Sequence, residues 1–334
     1  MAIATTEMHA RQPGRSCPLH YRYAPGALAR EPDFKADTLY VIGGLYGNLP
    51  ALEAVLALAA AEPAPVTLAF NGDFNWFNID NAGFRTINDE VLRHHALRGN
   101  VETELADDHS DAGCGCAYPD YVSAGDVARS NEMIVALRNT ARRHVDLRAR
   151  LGALPMNLVA QVGGERVAMV HGDLASLAGW SLAQESLADN ETINIVKKQI
   201  VTSRCRIVAS SHTCLPVAQM FATDMGPCAV FNNGAAGMPN FRGEPFGVIT
   251  RISTTAAPQA LLYGTRIGGL HLDAIPVRYD HVRWHNEFAG NWPTGSAGHV
   301  SYLKRITHGP AYGIEDANRL AVSNRSAARP TAVA

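Results

Sequence analysis

Four polar residues of this chain each follow a short apolar segment, and all four are of types that bind metal ions. Asp73 stands in FNGDF, Asn100 in LRGNV, His171 in MVHGD and His212 in SSHTC. A carboxylate, an amide oxygen and two imidazoles form a plausible ligand set for a divalent cation. The sequence therefore predicts one divalent metal ion (Fe, Mn or Zn, its identity left open) and no organic cofactor.

The segments before these residues have the pattern of strands in a mixed α/β sandwich. Short β-branched apolar segments predict strands, and longer segments with apolar residues three to four apart predict helices. The predicted strands are 38–43, 65–71, a short one before Asn100, 166–170, 206–210, 228–232, 246–253, 259–264 and 270–279, and the predicted helices are 48–62, 84–95, 127–152 and 190–203. Since the carboxyl ends of strands in α/β folds meet at one rim, the four residues can converge there.

The domain organisation follows from the same pattern. Residues 1–36 are rich in Arg, Pro and Gly and are interpreted as a leader segment that wraps the surface. Residues 37–316 form the predicted domain, which carries an inserted loop and helix at about 103–152. Residues 317–334 are interpreted as a flexible tail.

Composition excludes several classes of function. The chain has 334 residues, of which 47% are hydrophobic and 18% charged, with a net charge of -2. This balance gives no electrostatic reason to expect nucleic acid or an anionic membrane as a partner. The sequence has no apolar segment of transmembrane length and no secretion signal, so we expect a cytoplasmic protein whose six cysteines are reduced. Exposed strand edges leave a homo-oligomer possible.

With these motifs in order, the sequence resembles the calcineurin-like metallophosphoesterases, and among them the small bacterial phosphodiesterase branch. The match covers roughly 38–280. It rests on Gly44-Leu45-Tyr46-Gly47-Asn48, Gly72-Asp73, Gly99-Asn100-Val101, His171-Gly172, Ser211-His212-Thr213-Cys214 and the turn Asn232-Asn233-Gly234-Ala235-Ala236-Gly237. The resemblance implies a sandwich of two mixed β-sheets flanked by helices. It also implies a centre that binds two metals, which together hold a phosphate and activate a water.

The resemblance sorts the residues into two metal sites. One site of the family would use the positions of Gly44, Tyr46, Asp73 and Cys214, and three of these four are changed. The other site would use Asp73, Asn100, His171 and His212, and this set is complete. Because the losses fall on one site and spare the other, we expect a mononuclear centre with the second metal position remodelled.

Other residues are weaker candidates for roles in catalysis. The family carries a His where this chain has Val101, and that His is a proton donor to the leaving group. Possible replacements are His94, His95, Glu102 and His109. Backbone N–H groups of Gly47 and Asn48 at a helix start could bind an oxyanion. Tyr46 is interpreted as a residue that fills the vacated metal position, or as a donor to bound phosphate.

The cysteines leave one alternative open. A thiolate at Cys214 could bind a softer metal, and Cys114 and Cys116 could reach the same rim. Packing roles are the alternative for the Cys114–Cys116 loop, and Cys205 and Cys228 are interpreted as core residues.

Three functions remain from the sequence. The first is a metal-dependent hydrolase that acts on a phosphoester or related small anionic substrate through a single metal. The second is a metal enzyme of another reaction class, which uses a redox-capable or thiolate-bound ion. The third is a non-catalytic binding protein derived from a phosphoesterase.

Overall fold

The computed structural model describes residues 12–321 and places thirteen strands and nine α-helices in them. The strands are β1 Phe34–Ala36, β2 Thr38–Ile42, β3 Thr67–Asn71, β4 His95–Leu97, β5 Asn157–Val162, β6 Glu165–Val170, β7 Ile207–Ser210, β8 Pro216–Thr223, β9 Gly226–Asn233, β10 Gly247–Ser253, β11 Tyr263–Ile267, β12 Leu270–Val277 and β13 Asn318–Arg319. The helices are α1 Leu49–Ala60, α2 Asn81–Val91, α3 Asn100–Ala106, α4 Ala124–Ala141, α5 Val145–Gly152, α6 Asn190–Ser203, α7 His281–Asn291, α8 Ala297–His308 and α9 Ile314–Ala317.

The strands form two mixed sheets. The first has the order β1-β5-β6-β7-β9-β8-β13 and the second has the order β11-β12-β10-β2-β3-β4. Strands β2, β3 and β4 are parallel to one another, as are β6, β7 and β9, and the remaining pairs include antiparallel hairpins. The predicted fold class, two mixed β-sheets flanked by helices, is confirmed.

One apolar core lies between the two sheets, and a larger apolar layer lies between the second sheet and the helices that cover it. In β2, Leu39 and Val41 pack in the core between the sheets, whereas Tyr40 and Ile42 pack in the layer under the helices. Both faces of this strand are therefore buried, which explains why its sequence is continuously apolar rather than alternating.

Several predicted elements differ from the observed ones. Strands β1, β5, β8 and β13 were not predicted, and β11 begins four residues later than expected. The predicted helix 127–152 is two helices, because His144 has non-helical backbone angles (φ -124°, ψ 67°). The break turns α5 so that Leu147 and Leu151 enter the core.

The proposed leader and tail are partly structural. Within the leader, β1 pairs with β5, and Tyr21 and Leu28 are fully buried. At the other end, Asn318–Arg319 pair with β8, so the flexible tail does not begin at residue 317. Residues 1–11 and 322–334, on which the rest of these two predictions falls, lie outside the described residues. Within 12–321, no helix combines the length and apolar character that a membrane crossing requires.

Candidate metal centre

The four predicted ligands lie at the carboxyl ends of four strands and meet at one place. Asp73 follows β3, Asn100 begins α3 after β4, His171 follows β6 and His212 follows β7. Ligand atoms of Asp73, His171 and His212 all lie within 4.8 Å of one another. Asn100 Oδ1 lies 3.1 Å from His171 Nε2. All four side chains are buried, so the strand ends converge as the sequence predicts.

Hydrogen bonds on the outer side of three of the four ligands aim a free lone pair of each at the centre. His171 Nδ1 donates to Asn71 O (2.9 Å), and this leaves Nε2 facing inward. His212 Nε2 donates to Cys116 O (3.0 Å), and this leaves Nδ1 facing His171 Nε2 at 3.1 Å. Asn100 Nδ2 donates to Cys114 O (2.9 Å), so its Oδ1 faces inward. Outer partners of this kind fix the orientation and tautomer of metal ligands.

The converging atoms are all acceptors when the imidazoles are neutral, so the centre attracts a cation. The Asp73 carboxylate lies 3.3 Å from His171 Nε2. Burial acts against the charged form of His171, but the charge of Asp73 outweighs it and raises the pKa of this imidazole. Burial, helped by the charge of His171, lowers the pKa of His212 to about 3, so that His212 is neutral. Donor set and charge both fit a divalent ion held by these residues.

Strained and glycine backbone positions make this convergence possible. Asp73 has φ of 54° and follows Gly72, which has φ of 79°. A Cβ on Gly72 would lie 2.6 Å from His171 Nδ1, and one on Gly99 would overlap Asp73 Oδ1. Non-glycine residues in the left-handed region cost free energy and cluster at functional sites.

Glu102 lies beneath the centre and organises the backbone that carries Asp73. Its carboxylate accepts from the N–H groups of Asp73 (2.7 Å), Phe74 (3.1 Å) and Gly99 (3.0 Å). Burial, and then the nearby charge of Asp73, raises the pKa of Glu102 to about 7. The side chain is fully buried and committed to these bonds, so its position suits support of the ligand loop rather than the proton transfer proposed from the sequence.

Tyr46 packs beside the two other positions at which this chain departs from the family's metal ligands. A Cβ on Gly44 would lie 3.0 Å from Tyr46 Cζ, so no longer side chain fits at Gly44 beside this ring. The Tyr46 hydroxyl lies 3.0 Å from Cys214 Sγ. Both residues have positive φ (57° and 63°). Tyr46 therefore contacts both of the other changed positions, and the three form one packed group.

The oxyanion site expected at Gly47 and Asn48 is not formed. Gly47 N donates to Phe74 O (2.8 Å) and Asn48 N donates to Leu45 O (3.1 Å), so neither N–H is free. The Asn48 side chain instead caps α1 by accepting from Ala51 N (2.9 Å), as the sequence predicts for a helix start.

Three candidate histidines lie away from the metal ligands. His94 faces Glu90 on α2 (3.3 Å), His95 stacks on Phe34 in the leader, and His109 is exposed in the inserted loop. None of them lines the pocket at the centre, so none is positioned to replace the proton donor missing at Val101.

The cysteines differ from expectation. Cys114 and Cys116 are paired as a disulfide, and in this pairing they offer no thiolate to a metal. Burial raises the pKa of the Cys214 thiol, which also favours its neutral form. Cys205 and Cys228 are fully buried core residues, as predicted.

A small aromatic pocket opens onto the centre, and sequence reasoning missed most of its walls. It encloses about 30 Å³, room for one or two waters. Its aromatic walls are Tyr46, Trp76, Tyr118, Trp180 and Tyr302. Trp76 follows Asp73 closely in sequence and Tyr118 follows the Cys-Gly-Cys segment closely, and that proximity was the available signal for these two. Tyr302 comes from α8, and no sequence signal points to it.

Comparisons with known proteins identify the fold. No family model and no curated protein matches the sequence. The structure is similar to a metallophosphoesterase from Sphaerobacter thermophilus (16% identity, TM-score 0.53), covering 82% of this chain and 100% of that one. It is also similar to a hypothetical protein from Pyrococcus horikoshii (15% identity, TM-score 0.57), covering 82% of this chain and 99% of that one. The chain therefore shares the fold of the metallophosphoesterase from Sphaerobacter thermophilus, and the resemblance predicted from the sequence is confirmed at the level of the fold.

Proposed function

We propose that the protein is a metal-dependent hydrolase that acts on a phosphoester or related anion through a single divalent ion. The observation that carries this proposal is the convergence of Asp73, Asn100, His171 and His212. Asn100, His171 and His212 are each oriented by a hydrogen bond to a backbone carbonyl, and Asp73 Oδ1 accepts from the N–H of Val101 (3.1 Å). When bound, such an ion would polarise a phosphoryl oxygen and lower the pKa of a water.

The proposal of one metal rather than two is supported by the packed group of Gly44, Tyr46 and Cys214, which offers no second ligand set. Gly44 has no side chain, and the Tyr46 hydroxyl is hydrogen-bonded to the Cys214 sulfur. Burial raises the pKa of the Cys214 thiol, which favours its neutral form. The thiolate-based alternative has the same difficulty, because the other two candidate thiols are joined in a disulfide.

The charge of the pocket favours a singly charged substrate. Asp73 is the only charged side chain among the described residues that line the pocket, and no Lys or Arg joins it. A divalent ion and one carboxylate together carry one net positive charge, which matches a monoanion such as a phosphodiester better than a dianion.

Val101 stands where a proton donor is needed, so the leaving group must depart with little help. Burial raises the pKa of Tyr118, a pocket phenol, to about 12, which makes it a weak acid. We therefore expect esters of acidic phenols to react and alkyl esters to react far more slowly.

The test is metal-dependent turnover of a matched ester series. Protein stripped of metal and reloaded with Mn²⁺, Zn²⁺ or Fe²⁺ is assayed with bis(4-nitrophenyl) phosphate, 4-nitrophenyl phosphate and an alkyl diester. Turnover of the nitrophenyl diester that disappears in Asp73→Ala and persists in His109→Ala supports the proposal. An absence of metal-dependent turnover across the series, with a folded and metal-loaded protein, contradicts it and favours a non-catalytic binding role.

A further inference from the structure

The Cys114-Gly115-Cys116 segment lies against two of the four metal ligands. The carbonyl oxygen of Cys114 accepts from the Asn100 amide (2.9 Å), and the carbonyl oxygen of Cys116 accepts from the His212 imidazole (3.0 Å). These two bonds decide which atom of each ligand faces the centre. The segment is therefore the outer support for half of the ligand set, through its backbone rather than its sulfurs.

The backbone of this segment needs restraint to hold those carbonyls in place. Gly113, Gly115 and Ala117 all have positive φ (67°, 66° and 50°), so left-handed residues alternate with the two cysteines. Ala117 has a Cβ and adopts this region at a cost in free energy. The disulfide closes a short ring across the alternating residues and ties the two carbonyls to one another.

The disulfide lies at the edge of the aromatic pocket. Cys116 lines the aromatic pocket and keeps 6% of its surface exposed, whereas Cys114 is fully buried. The Trp180 indole, on the pocket wall, donates to the same Cys116 carbonyl (3.0 Å). A change in the segment is thus transmitted to His212 and to Trp180 together.

We propose that the Cys114–Cys116 disulfide is a redox-sensitive positioning element that holds Asn100 and His212 ready for the metal, and that its reduction weakens metal binding. This inference rests on the proposed metal site. In the reaction a small dithiol transfers two electrons and two protons to the S–S bond; two cysteine thiols form, and the dithiol becomes its own disulfide.

The first experiment compares metal binding in the two redox states of the wild-type chain. Thiol titration of the unfolded protein should count four thiols before reduction and six after it, since four of the six cysteines are free. The dithiol is removed anaerobically, and Mn²⁺ binding is measured by calorimetry. We expect affinity about 10–100-fold weaker after reduction, which is the usual effect of losing an outer partner, and recovery on reoxidation.

A second readout needs no metal. Because Trp180 donates to Cys116 O, reduction should change the tryptophan fluorescence of the metal-free protein, and Trp180→Phe should abolish that change. A mere loss of stability is separated from repositioning by thermal unfolding of both redox states.

Matched cysteine variants complete the test. Cys114→Ser should bind Mn²⁺ as weakly as the reduced wild type, and its Mn²⁺ affinity should not change when the dithiol is added. Cys228→Ser, in β9 and away from the pocket, should respond like wild type. Equal affinity in both redox states overturns the inference and leaves the proposed function intact. Tighter binding after reduction also overturns it, because it would mean that a thiolate joins the ligands. Failure of the oxidised protein to bind metal overturns both proposals.

Discussion

At the scale of single residues, the candidate centre is defined by which atom of each ligand makes an outer hydrogen bond and which atom is left to face a metal. The types and order of Asp73, Asn100, His171 and His212 could be predicted from the sequence, because short motifs carry them. Their orientation could not, since it depends on backbone carbonyls of Asn71, Cys114 and Cys116 that any residue type supplies.

The electrostatics of His171 predict how metal affinity depends on pH. A proton on His171 competes with the metal, and Asp73 raises the pKa of this imidazole above its ordinary value of 6.5. Affinity for Mn²⁺ should therefore rise with pH and level off only above the ordinary histidine range. Calorimetric titrations at a series of pH values, in buffers of different ionisation enthalpy, should show proton release on binding. An affinity that is flat from pH 6 to 8 would count against this assignment.

The packed group at the lost metal position makes a second prediction. Restoring the family's ligands with Gly44→Asp, Tyr46→His and Cys214→His should raise the metal content from one to two equivalents per chain. The triple variant removes the Tyr46 ring that packs beside Gly44 and Cys214, and it supplies the three missing ligands. Metal analysis of the purified triple variant checks this. Tyr46→Phe is the control and should keep one equivalent. A folded triple variant that still binds a single ion would show that the remodelling extends beyond these residues.

At the scale of elements, strand ends followed by glycine exits bring the ligands together. Continuous apolar segments revealed β2, β3 and β7, because a strand buried on both faces has an unmistakable composition. Strands β5 and β8 were not predicted from the sequence, because polar residues interrupt their apolar pattern, as Asn157 and Gln161 do in β5. The break between α4 and α5 was not predicted either, since it depends on the tertiary packing of Leu147 and Leu151 rather than on local helix propensity.

Gly99, which links β4 to α3, gives a prediction at the scale of elements. Gly99→Ala places a Cβ on Asp73 Oδ1, so Asp73 or His171 must shift and metal affinity should fall at least about tenfold. Gly290→Ala, in α7 with nothing within 4 Å of the added Cβ, is the matched control. It should leave metal affinity unchanged and stabilise the fold by about 0.5–1 kcal/mol. Calorimetry and chemical unfolding measure the two effects, and equal metal affinity in both variants would refute this role for Gly99.

At the scale of the whole molecule, a buried ion cluster joins the sheet that carries β2 and β3 to the end of α1. Arg251 in β10 is fully buried and pairs with Glu62 (2.6 Å) and Asp273 (3.2 Å). Sequence patterns indicated the two-sheet sandwich but could not reveal this cluster, because its members lie far apart along the chain.

Removal of Arg251 should destabilise the whole fold. Arg251→Met leaves two buried carboxylates without their partner, at a cost of about 3–5 kcal/mol in the free energy of unfolding. Urea denaturation measures it. Arg266→Met, at an exposed position of β11, should change stability by less than about 0.5 kcal/mol. Similar losses in the two variants would mean that the cluster contributes nothing specific.

The number of metal ions per chain tests the central claim most directly. Protein purified without chelators, and again after saturation with Mn²⁺ and removal of free metal, is analysed for metal and protein concentration together. The four converging ligands and the packed group at Tyr46 predict one equivalent, which is lost in the double variant Asp73→Ala with His171→Ala. No bound metal, or two equivalents in the wild type, would contradict the account.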